Sequence, residues 1–355
     1  MGARLAPVNV AADRVIRTTV GLRPFRPSGF VVRGEKIGEK LVIHNYGHGG
    51  AGITLSWGTA QLAADEGAKS GLRDCAVIGC GVIGLSTARI LQQRGYQPTI
   101  YAKEMPPNTT SNVAGGLWDP VTVFDGDHVT PDFRRQFIDA AHLAHRRYQL
   151  LVGEEYAVRW LALYNLSDDK PFQPPRLDSL SGAIQDLFPE THILEPGENP
   201  FHVKYGRRRD TMLIEPSIYL EKLVRDFHVE GGKIQIRSFA NASELIGLSE
   251  SLIFNCTGLG AKELFNDQEL VPIKGQLSFL LPQAEVNYCT VGPDEFICSR
   301  GTMASCSAGA TSKGVGRWIL NRRSQKEFWR GMRRCSVRCG ADCGRRSARR
   351  AGRCV

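Results

Sequence analysis

The chain has 355 residues, a length that allows a large core and predicts two domains. Its formal net charge of +9 is unevenly placed, because residues 296–355 hold 15 Lys and Arg against 2 acidic residues. The remaining residues are mildly acidic, which argues against a nucleic-acid-binding body. No apolar run is long enough for a transmembrane helix. We therefore expect a soluble, cytoplasmic protein that binds neither nucleic acid nor membrane.

The first forty residues predict a strand over residues 15–20, followed by a stiff extended segment with two Arg-Pro steps. Arg23 lies in that segment, between Leu22 and Pro24. A guanidinium on a rigid backbone is suited to bind a carboxylate through two parallel hydrogen bonds. An ordinary surface arginine is the alternative interpretation.

A strand over residues 41–43 leads into a glycine-rich loop, and the loop leads into a helix whose apolar positions begin at Ile53. Such a turn directs backbone N–H groups at an anionic or electron-rich group. His44 and His48 lie in this segment, but no third metal ligand accompanies them. We therefore predict no metal site.

A polar linker over residues 66–73 precedes a strand–turn–helix–strand unit, and the turn reads Gly79-Cys80-Gly81-Val82-Ile83-Gly84. Gly79 permits a tight turn, Gly81 lets the backbone approach a pyrophosphate, and Gly84 allows close packing of helix on strand. Glu104 stands twenty residues after Gly84, where an acid would bind an adenosine ribose. The unit predicts a dinucleotide site, and a glycine-rich turn in an ordinary βαβ unit is the alternative.

Beyond residue 104 the sequence predicts a hydroxyl-rich loop over 107–118, a helix over 131–152 and a loop-heavy stretch over 153–210. A helix over 217–228 and strands over 233–239 and 251–254 follow. The last strand ends in a third glycine-bearing turn, of the kind that meets a ligand in a doubly wound sheet. The isolated cysteines are interpreted as reduced, buried thiols, namely Cys75, Cys80, Cys256 and Cys289.

Several of these segments carry a family resemblance. Residues 79–84, 109–118, 255–258 and 274–276 closely resemble the D-amino-acid oxidase family of FAD enzymes, and residues 21–27 and 44–54 resemble it more specifically. In that family the Arg23 and His44 motifs belong at the C-terminal end, whereas here they precede the nucleotide-binding strand. We interpret the chain as a circular permutant joined through residues 66–73. A misassembled gene is the alternative.

The resemblance implies an α/β fold, with a Rossmann-type FAD-binding domain and a second α+β substrate domain built on a mixed or antiparallel sheet. It also implies six ranges along the chain. These are a permuted segment with the substrate clamp and a flavin-facing helix (1–66), the FAD-binding βαβ core (74–118), mostly substrate domain (119–235), a return to the FAD-binding domain (236–265), further substrate domain (266–295) and an off-pattern Arg- and Cys-rich tail (296–355).

The resemblance assigns cofactor-binding roles, with FAD as the cofactor. Adenosine and pyrophosphate would lie against Gly79, Gly81, Val82, Ile83, Gly84 and Glu104, and the adenine end against the backbone of Phe239. The ribityl chain and flavin face would follow Thr109, Thr110, Ser111, Gly116 and Leu117. A helix N-terminus formed by Gly49, Gly52, Ile53 and Thr54 would meet the flavin N1/C2 edge. Thr257 and Gly258 complete the candidate contacts.

In the implied reaction, Arg23 binds the carboxylate of a D-amino acid and the Gly50 carbonyl receives its amine. Hydride passes from the amino acid to flavin N5, and O2 reoxidises the flavin. The expected function is an FAD-dependent oxidase of D-amino acids or glycine-like amines that releases 2-oxo acids, ammonia and hydrogen peroxide. A homodimer is left open, and Arg26 or His48 is offered as a second cation for acidic substrates. An impaired or inactive flavin-binding protein is the alternative function.

The last sixty residues depart from the family, which expects a tyrosine just past Glu295 and then a strand like Y-M-F-P-R. One permitted set of codons, read in a shifted frame, encodes V-Y-M-F-P-R-D-D-G-I-L-L-G-G. We therefore hypothesise a reading-frame slip near residue 295. We expect the strand after Glu295 to be absent or irregular and the tail to pack poorly. The alternatives are a nucleic-acid-binding tail and a metal or redox site at Cys335, Cys339, Cys343 and Cys354.

Overall fold

The computed structural model describes residues 5–169, 179–292, 295–298 and 304–308, and it contains one six-stranded and one eight-stranded β-sheet. The strands are β1 (Val15–Phe25), β2 (Val31–Ile37), β3 (Lys40–Tyr46), β4 (Asp74–Ile78), β5 (Gln97–Ala102), β6 (Val158–Ser167), β7 (His192–Leu194), β8 (Tyr205–Ile214), β9 (Lys233–Ile236), β10 (Leu252–Asn255), β11 (Val271–Leu280), β12 (Tyr288–Val291), β13 (Glu295–Cys298) and β14 (Ala304–Ala308). The α-helices are α1 (Gly52–Ala68), α2 (Val82–Gln93), α3 (Pro131–Leu150), α4 (Leu180–Ala183), α5 (Pro216–Val229), α6 (Ser243–Ile246) and α7 (Ala261–Leu264).

The six-stranded sheet has the order β2-β3-β10-β4-β5-β9. Its neighbouring strands are parallel except for β2 and β3, which pair antiparallel. Ala76, Val77 and Ile78 of β4 are almost fully buried, as expected for an inner strand of a parallel sheet that is covered on both faces. This sheet confirms the predicted Rossmann-type α/β domain.

Helices α1 and α2 contact strands of this sheet. Helices α2 and α3 both pack on α1, and α5 packs on α2. The α1–α3 crossing is close, since a β-carbon at Gly58 would stand 1.9 Å from the Ala140 carbonyl oxygen. Helix α3 begins at Pro131, and the Thr130 hydroxyl oxygen accepts a hydrogen bond of 3.1 Å from the Phe133 N–H. The helices predicted over 131–152 and 217–228 are therefore present as α3 and α5.

The eight-stranded sheet has the order β1-β11-β14-β13-β12-β6-β8-β7. Its pairs are antiparallel except for β12 and β6, which confirms the predicted mixed sheet. The loop-heavy interpretation of residues 153–210 is wrong for β6 and β8, which pair with each other along ten residues. The charged run in β8 concealed this strand, because Arg207 and Arg209 face a cavity rather than an apolar core.

The N-terminal segment contributes to both sheets. Strand β1 pairs with β11 and places Arg23 opposite Ile273, whereas β3 lies parallel to β10 in the other sheet. Helix α1 continues to Ala68, so only residues 69–73 join it to β4 and the predicted linker is shorter than expected. The permuted order of the chain stays a prediction.

The two sheets draw their strands from several of the predicted domain ranges. Within 119–235, strands β6, β7 and β8 belong to the eight-stranded sheet, while α3, α5 and β9 accompany the six-stranded one. Within 236–265, β10 belongs to the six-stranded sheet, and β11 and β12 of 266–295 belong to the other. The exact domain boundaries stay predictions.

Strands β13 and β14 occupy the space between β12 and β11. Thr290 stands opposite Ile297, and Gln276 opposite Ala308. The expectation that the strand after Glu295 is absent or irregular is therefore wrong. Ladder bonds join backbone groups, so they form even where the side chains differ from those of the family. The frame-slip hypothesis stays a prediction, and the four cysteines from Cys335 to Cys354 lie outside the described residues.

The cysteines of the body fall into two groups. Cys75, Cys80 and Cys256 are free and buried, as predicted. Cys289 is disulfide-bonded, which corrects its interpretation as a reduced thiol.

Candidate functional site

A cavity of about 1600 Å³ lies at the carboxyl ends of β3, β4, β5 and β10, with β1, β6, β8 and β11 contributing to its wall. Ligands of open α/β sheets bind outside these strand ends. Arg23, Gly50 and all of the predicted cofactor contacts except Gly84 line this cavity. The fold thus brings together candidates that are spread from residue 23 to residue 258.

The turn after β4 has the geometry expected of a dinucleotide-binding turn. Gly79 has a φ of +109°, and a β-carbon there would stand 2.5 Å from the Cys256 carbonyl oxygen. A β-carbon at Gly81 would meet only the Ser111 hydroxyl, at 3.2 Å, and would otherwise enter the cavity. Gly84 lies outside the cavity wall because it packs on the strand, where a β-carbon would stand 1.9 Å from the Gly79 carbonyl oxygen.

The hydroxyl-rich loop is tied to the start of α2. The Val82 N–H donates a 3.0 Å hydrogen bond to Ser111 Oγ. Thr109 and Asn112 form reciprocal side-chain and backbone bonds around the short 3-10 turn Thr110–Val113. These bonds hold Thr109, Thr110 and Ser111 beside the helix N-terminus.

The double-glycine end of that loop joins the two sheets. Gly116 has a φ of +85°, and a β-carbon there would stand 2.1 Å from the Ile214 carbonyl oxygen. Leu117 forms a β-bridge with Leu213 of β8, and the Trp118 N–H donates to the Met212 carbonyl at 2.8 Å. The segment therefore runs along β8 and presents Leu117 to the cavity.

A second glycine turn faces the same cavity from the start of α1. Gly49 has a φ of +57°, and a β-carbon there would stand 2.1 Å from the Thr122 carbonyl oxygen. The Gly50 N–H donates to that same oxygen at 2.9 Å. Thr54 Oγ1 lies 3.3 Å from the carbonyl oxygens of Leu117 and Asp119. These contacts fix the turn against the segment after Trp118.

The predicted adenosine contacts also line the cavity. Glu104 and Phe239 are both part of its wall, and the Arg237 guanidinium lies 4.7 Å above the Phe239 ring. Thr257 Oγ1 donates to Asn255 Oδ1 at 2.8 Å, which fixes the turn that contains Gly258. Arg237 also lines the cavity and was not predicted.

Arg23 is a half-buried cation in the cavity wall. Its guanidinium lies over Gly275, where a β-carbon would stand 3.2 Å from Nη2. Burial lowers its pKa from the ordinary value of 12.5. No hydrogen bond or ion pair joins the Arg23 side chain to any of the described residues. A cation in this position can accept an anionic ligand.

The residues that were offered as a second cation are already engaged elsewhere. Arg26 forms ion pairs with Asp267 and Glu269, at 2.8 and 2.5 Å. His48 is buried and bonded to Thr59 Oγ1 at 2.9 Å, and burial lowers its pKa to about 3. Both suggestions are therefore wrong, because Arg26 is neutralised and His48 is uncharged.

The polar group on the wall formed by β6 and β8 was not predicted from the sequence. Asn165, Arg207 and Arg209 line the cavity there, together with Asp119. Arg209 Nη2 forms a 2.7 Å ion pair with Asp119 Oδ2. The alternation of residues 207, 209 and 211 could have revealed this strand, since alternate residues share one face.

The part of the chain that the structure describes has neither a metal-ion cluster nor a membrane-spanning helix. Within the described part of the chain, no cluster of three or more His, Cys, Asp or Glu side chains is arranged to hold a metal ion. The described helices also include none that is long and apolar enough to cross a membrane. His44 is bonded to Glu35 and Asn255 instead of to a metal-binding partner.

The comparisons with known proteins define the class of this protein. The sequence profile of the DAO family, described as FAD dependent oxidoreductase, matches residues 2–66 and 74–334. The match covers more than half of the chain, and the chain belongs to this family. FAD is therefore its cofactor.

Curated relatives are similar over part of their length. The chain is 28% identical to the D-amino-acid oxidase of Dictyostelium discoideum over 218 residues, which cover 57% of this chain and 55% of that protein. It is 30% identical to the D-amino acid oxidase of Dugesia ryukyuensis over 212 residues, which cover 57% and 59%. The chain thus spans little more than half the length of these relatives.

Solved structures share the fold. Glycine oxidase from Geobacillus kaustophilus superposes with a TM-score of 0.53 and 14% identity, over 75% of this chain and 80% of that chain. Iminodiacetate oxidase from Chelativorans sp. BNC1 gives 0.52 and 16% identity, over 72% and 77%. At these identities the similarity concerns the fold alone.

The cavity fits FAD. Its volume of about 1600 Å³ exceeds that of ordinary small-molecule pockets, which hold roughly 300–1,000 Å³, so a dinucleotide and a small substrate can share it. The first residues of α1 and α2 both line it, and helix N-termini favour negative charge. Gly52 and Gly81 expose bare backbone there, since a β-carbon at Gly52 would meet only Val82 Cγ1, at 4.0 Å.

Proposed function

We propose that this chain is an oxidase that converts D-amino acids, or glycine-like amines, with O2 and water into 2-oxo acids, hydrogen peroxide and ammonia, or the corresponding amine where the nitrogen is substituted. The observation that carries the proposal is Arg23, a half-buried cation in the cavity wall with no acidic partner among the described residues. The carboxylate of an amino acid would supply the negative charge that pairs with the Arg23 guanidinium. The names of the curated relatives, which are D-amino-acid oxidases, support the same substrate class.

The cofactor would be held by the residues that line the cavity. Backbone groups of Gly79, Gly81, Val82 and Ile83 would contact the pyrophosphate, while Glu104 would bind the adenosine ribose. The loop residues Thr109, Thr110, Ser111, Gly116 and Leu117 would follow the ribityl chain and the flavin face. When bound, the flavin supplies the acceptor for the two electrons of the substrate Cα–H bond and returns them to O2.

The chain itself would bind and orient the substrate. Arg23 would hold the carboxylate, and the Gly50 carbonyl oxygen would accept a hydrogen bond from the amine. The Gly50 N–H is already bonded to the Thr122 carbonyl, which fixes the orientation of this turn. Two fixed contacts restrict how the Cα–H bond can be presented, and such orientation accounts for much of the rate of a reaction without a side-chain nucleophile.

A screen for peroxide release tests this proposal. FAD-reconstituted protein is incubated with each D-amino acid, with glycine and sarcosine, and with the L-enantiomers as matched controls. We expect peroxide from one or more D-amino acids or glycine-like amines and none from the L-enantiomers. Protein that binds FAD but releases no peroxide with any of these substrates would overturn the proposal.

A second candidate function is an impaired or inactive flavin-binding protein. It is favoured by the residues after Glu295, which lack the tyrosine that the family resemblance calls for at this point. In that case the protein would bind FAD and become yellow, but no D-amino acid would reduce it. The peroxide screen therefore separates the two candidates.

A further inference from the structure

We propose that Arg209 sets the charge selectivity of the substrate end of the cavity by neutralising the Asp119 carboxylate. The inference deepens the proposed function and rests on it. Arg209 Nη2 and Asp119 Oδ2 are 2.7 Å apart, with side-chain exposures of 9% and 18%. Both residues line the cavity. The pair is therefore a nearly buried ion pair inside the candidate active site.

Asp119 lies next to the turn that would receive the substrate amine. Its N–H donates to Thr54 Oγ1 at 3.4 Å, and its carbonyl oxygen lies 3.3 Å from the same hydroxyl. Three residues later, the Thr122 carbonyl accepts the hydrogen bond from the Gly50 N–H. A free carboxylate at residue 119 would thus add a negative charge beside the place where an amino acid binds.

Arg209 is held in position by β8. Its guanidinium carbon lies 4.2 Å above the Phe188 ring, and Phe188 also lines the cavity. Thr211 lies two residues after Arg209 on the same face of the strand, and its Oγ1 donates a hydrogen bond to the Trp118 carbonyl at 2.7 Å. The segment 116–119 runs antiparallel to β8, with Leu117 opposite Leu213. This backbone pairing brings Asp119 close to Arg209.

Replacing Arg209 would change the net charge of this part of the cavity. With Arg209 present, the pair has no net charge, and Arg23 makes the cavity attractive to a carboxylate. Without Arg209, Asp119 becomes an uncompensated anion, which repels carboxylates and favours ammonium groups. Burial and the neighbouring charge of Arg209 lower the pKa of Arg207, while the charge of Asp119 raises it.

The test compares the holoenzyme with its Arg209→Met variant, using D-alanine and D-alaninamide, which keeps the ammonium group but has no carboxylate. We expect the KM for D-alanine to rise about tenfold, the effect of one unit charge in a partly screened cavity. The KM for the amide should not rise, because its ammonium group is attracted to the Asp119 carboxylate, and Asp119→Asn in the Arg209→Met background should restore the D-alanine KM. The matched control is Arg208→Met, because Arg208 pairs with Asp210 and does not line the cavity.

Equal KM increases for D-alanine and the amide, or no recovery in the double variant, would overturn the proposal and leave Arg209 with a packing role. If Arg209→Met does not fold, Arg209→Lys and the double variant carry the test. Neither leaves Asp119 as an unpaired anion, so both should keep the D-alanine KM of the wild type, and a tenfold rise in either would overturn the proposal. If the wild type oxidises no D-amino acid or glycine-like amine, the proposed function fails separately. Benzoate binding, followed by the absorbance of bound flavin, then tests the pair, and a tenfold weakening in Arg209→Met that Asp119→Asn reverses is the supporting result.

Discussion

Gly84 packs so closely on the preceding turn that a β-carbon at residue 84 would stand 1.9 Å from the carbonyl oxygen of Gly79. The contact brings the first turn of α2 onto the end of β4, which places the helix N-terminus at the cavity. Gly84→Ala should therefore destabilise the protein by about 1–3 kcal/mol, the usual cost of overpacking a tight site. Chemical denaturation without FAD measures this loss. Gly126→Ala is the control, because a β-carbon there meets nothing within 4 Å, and equal stability of the two variants would refute the packing role.

Gly81→Val should act on cofactor binding and not on folding. The backbone of Gly81 has a φ of −78°, which valine adopts without strain, and its β-carbon would point into the cavity. The branched side chain would occupy space needed by a pyrophosphate. We expect a folded, colourless variant with the same Tm as the FAD-free wild type. FAD fluorescence titration measures the binding, and thermal unfolding without FAD measures the Tm. A variant that binds FAD as tightly as the wild type would move the nucleotide site elsewhere.

Arg23→Ala should leave FAD bound and raise the KM for D-amino acids. Loss of a charge-assisted carboxylate contact costs on the order of 2–4 kcal/mol. Steady-state kinetics with D-alanine measures the effect, and Arg225→Ala on the exposed side of α5 is the control. An unchanged KM for D-alanine in Arg23→Ala would show that another group binds the carboxylate.

His48 should make the stability of the protein depend on pH. Burial lowers its pKa to about 3 from 6.5, so the folded protein stays unprotonated at pH values where the unfolded chain takes up a proton. The contribution of His48 to stability is therefore complete above pH 6.5 and declines as the pH falls toward 3. Between pH 7 and pH 5, the unfolding free energy of the wild type should fall by about 2 kcal/mol relative to His48→Gln. A difference that does not change with pH would show that His48 protonates normally.

The sequence predicted the six-stranded sheet well, because its signals are local. The apolar run of β4, the glycines at 79, 81 and 84, and the helix that follows each have a direct physical reading. Gly84 illustrates this, since its predicted packing role matches its position outside the cavity wall. Strand β9 was also predicted, although it ends at Ile236 and Phe239 lies beyond it.

The missed features depend on long-range contacts. Arg209 meets Asp119 across ninety residues, and nothing near either residue in the sequence marks them as a pair. Likewise, β13 and β14 pair with β12 and β11 through the backbone, whereas their amino-acid sequence differs from the strand that the family resemblance predicts. Arg26 looked free in the sequence because its partners, Asp267 and Glu269, follow more than two hundred residues later.

The central claim is that this cavity binds FAD and presents a D-amino acid to it. The most direct measurement is the absorbance of FAD-reconstituted protein under anaerobic conditions, before and after addition of D-alanine. We predict that D-alanine bleaches the flavin band, that L-alanine does not, and that admission of O2 restores the colour. A yellow protein that dithionite bleaches, but that neither D-alanine nor any other D-amino acid or glycine-like amine can bleach, would contradict the account.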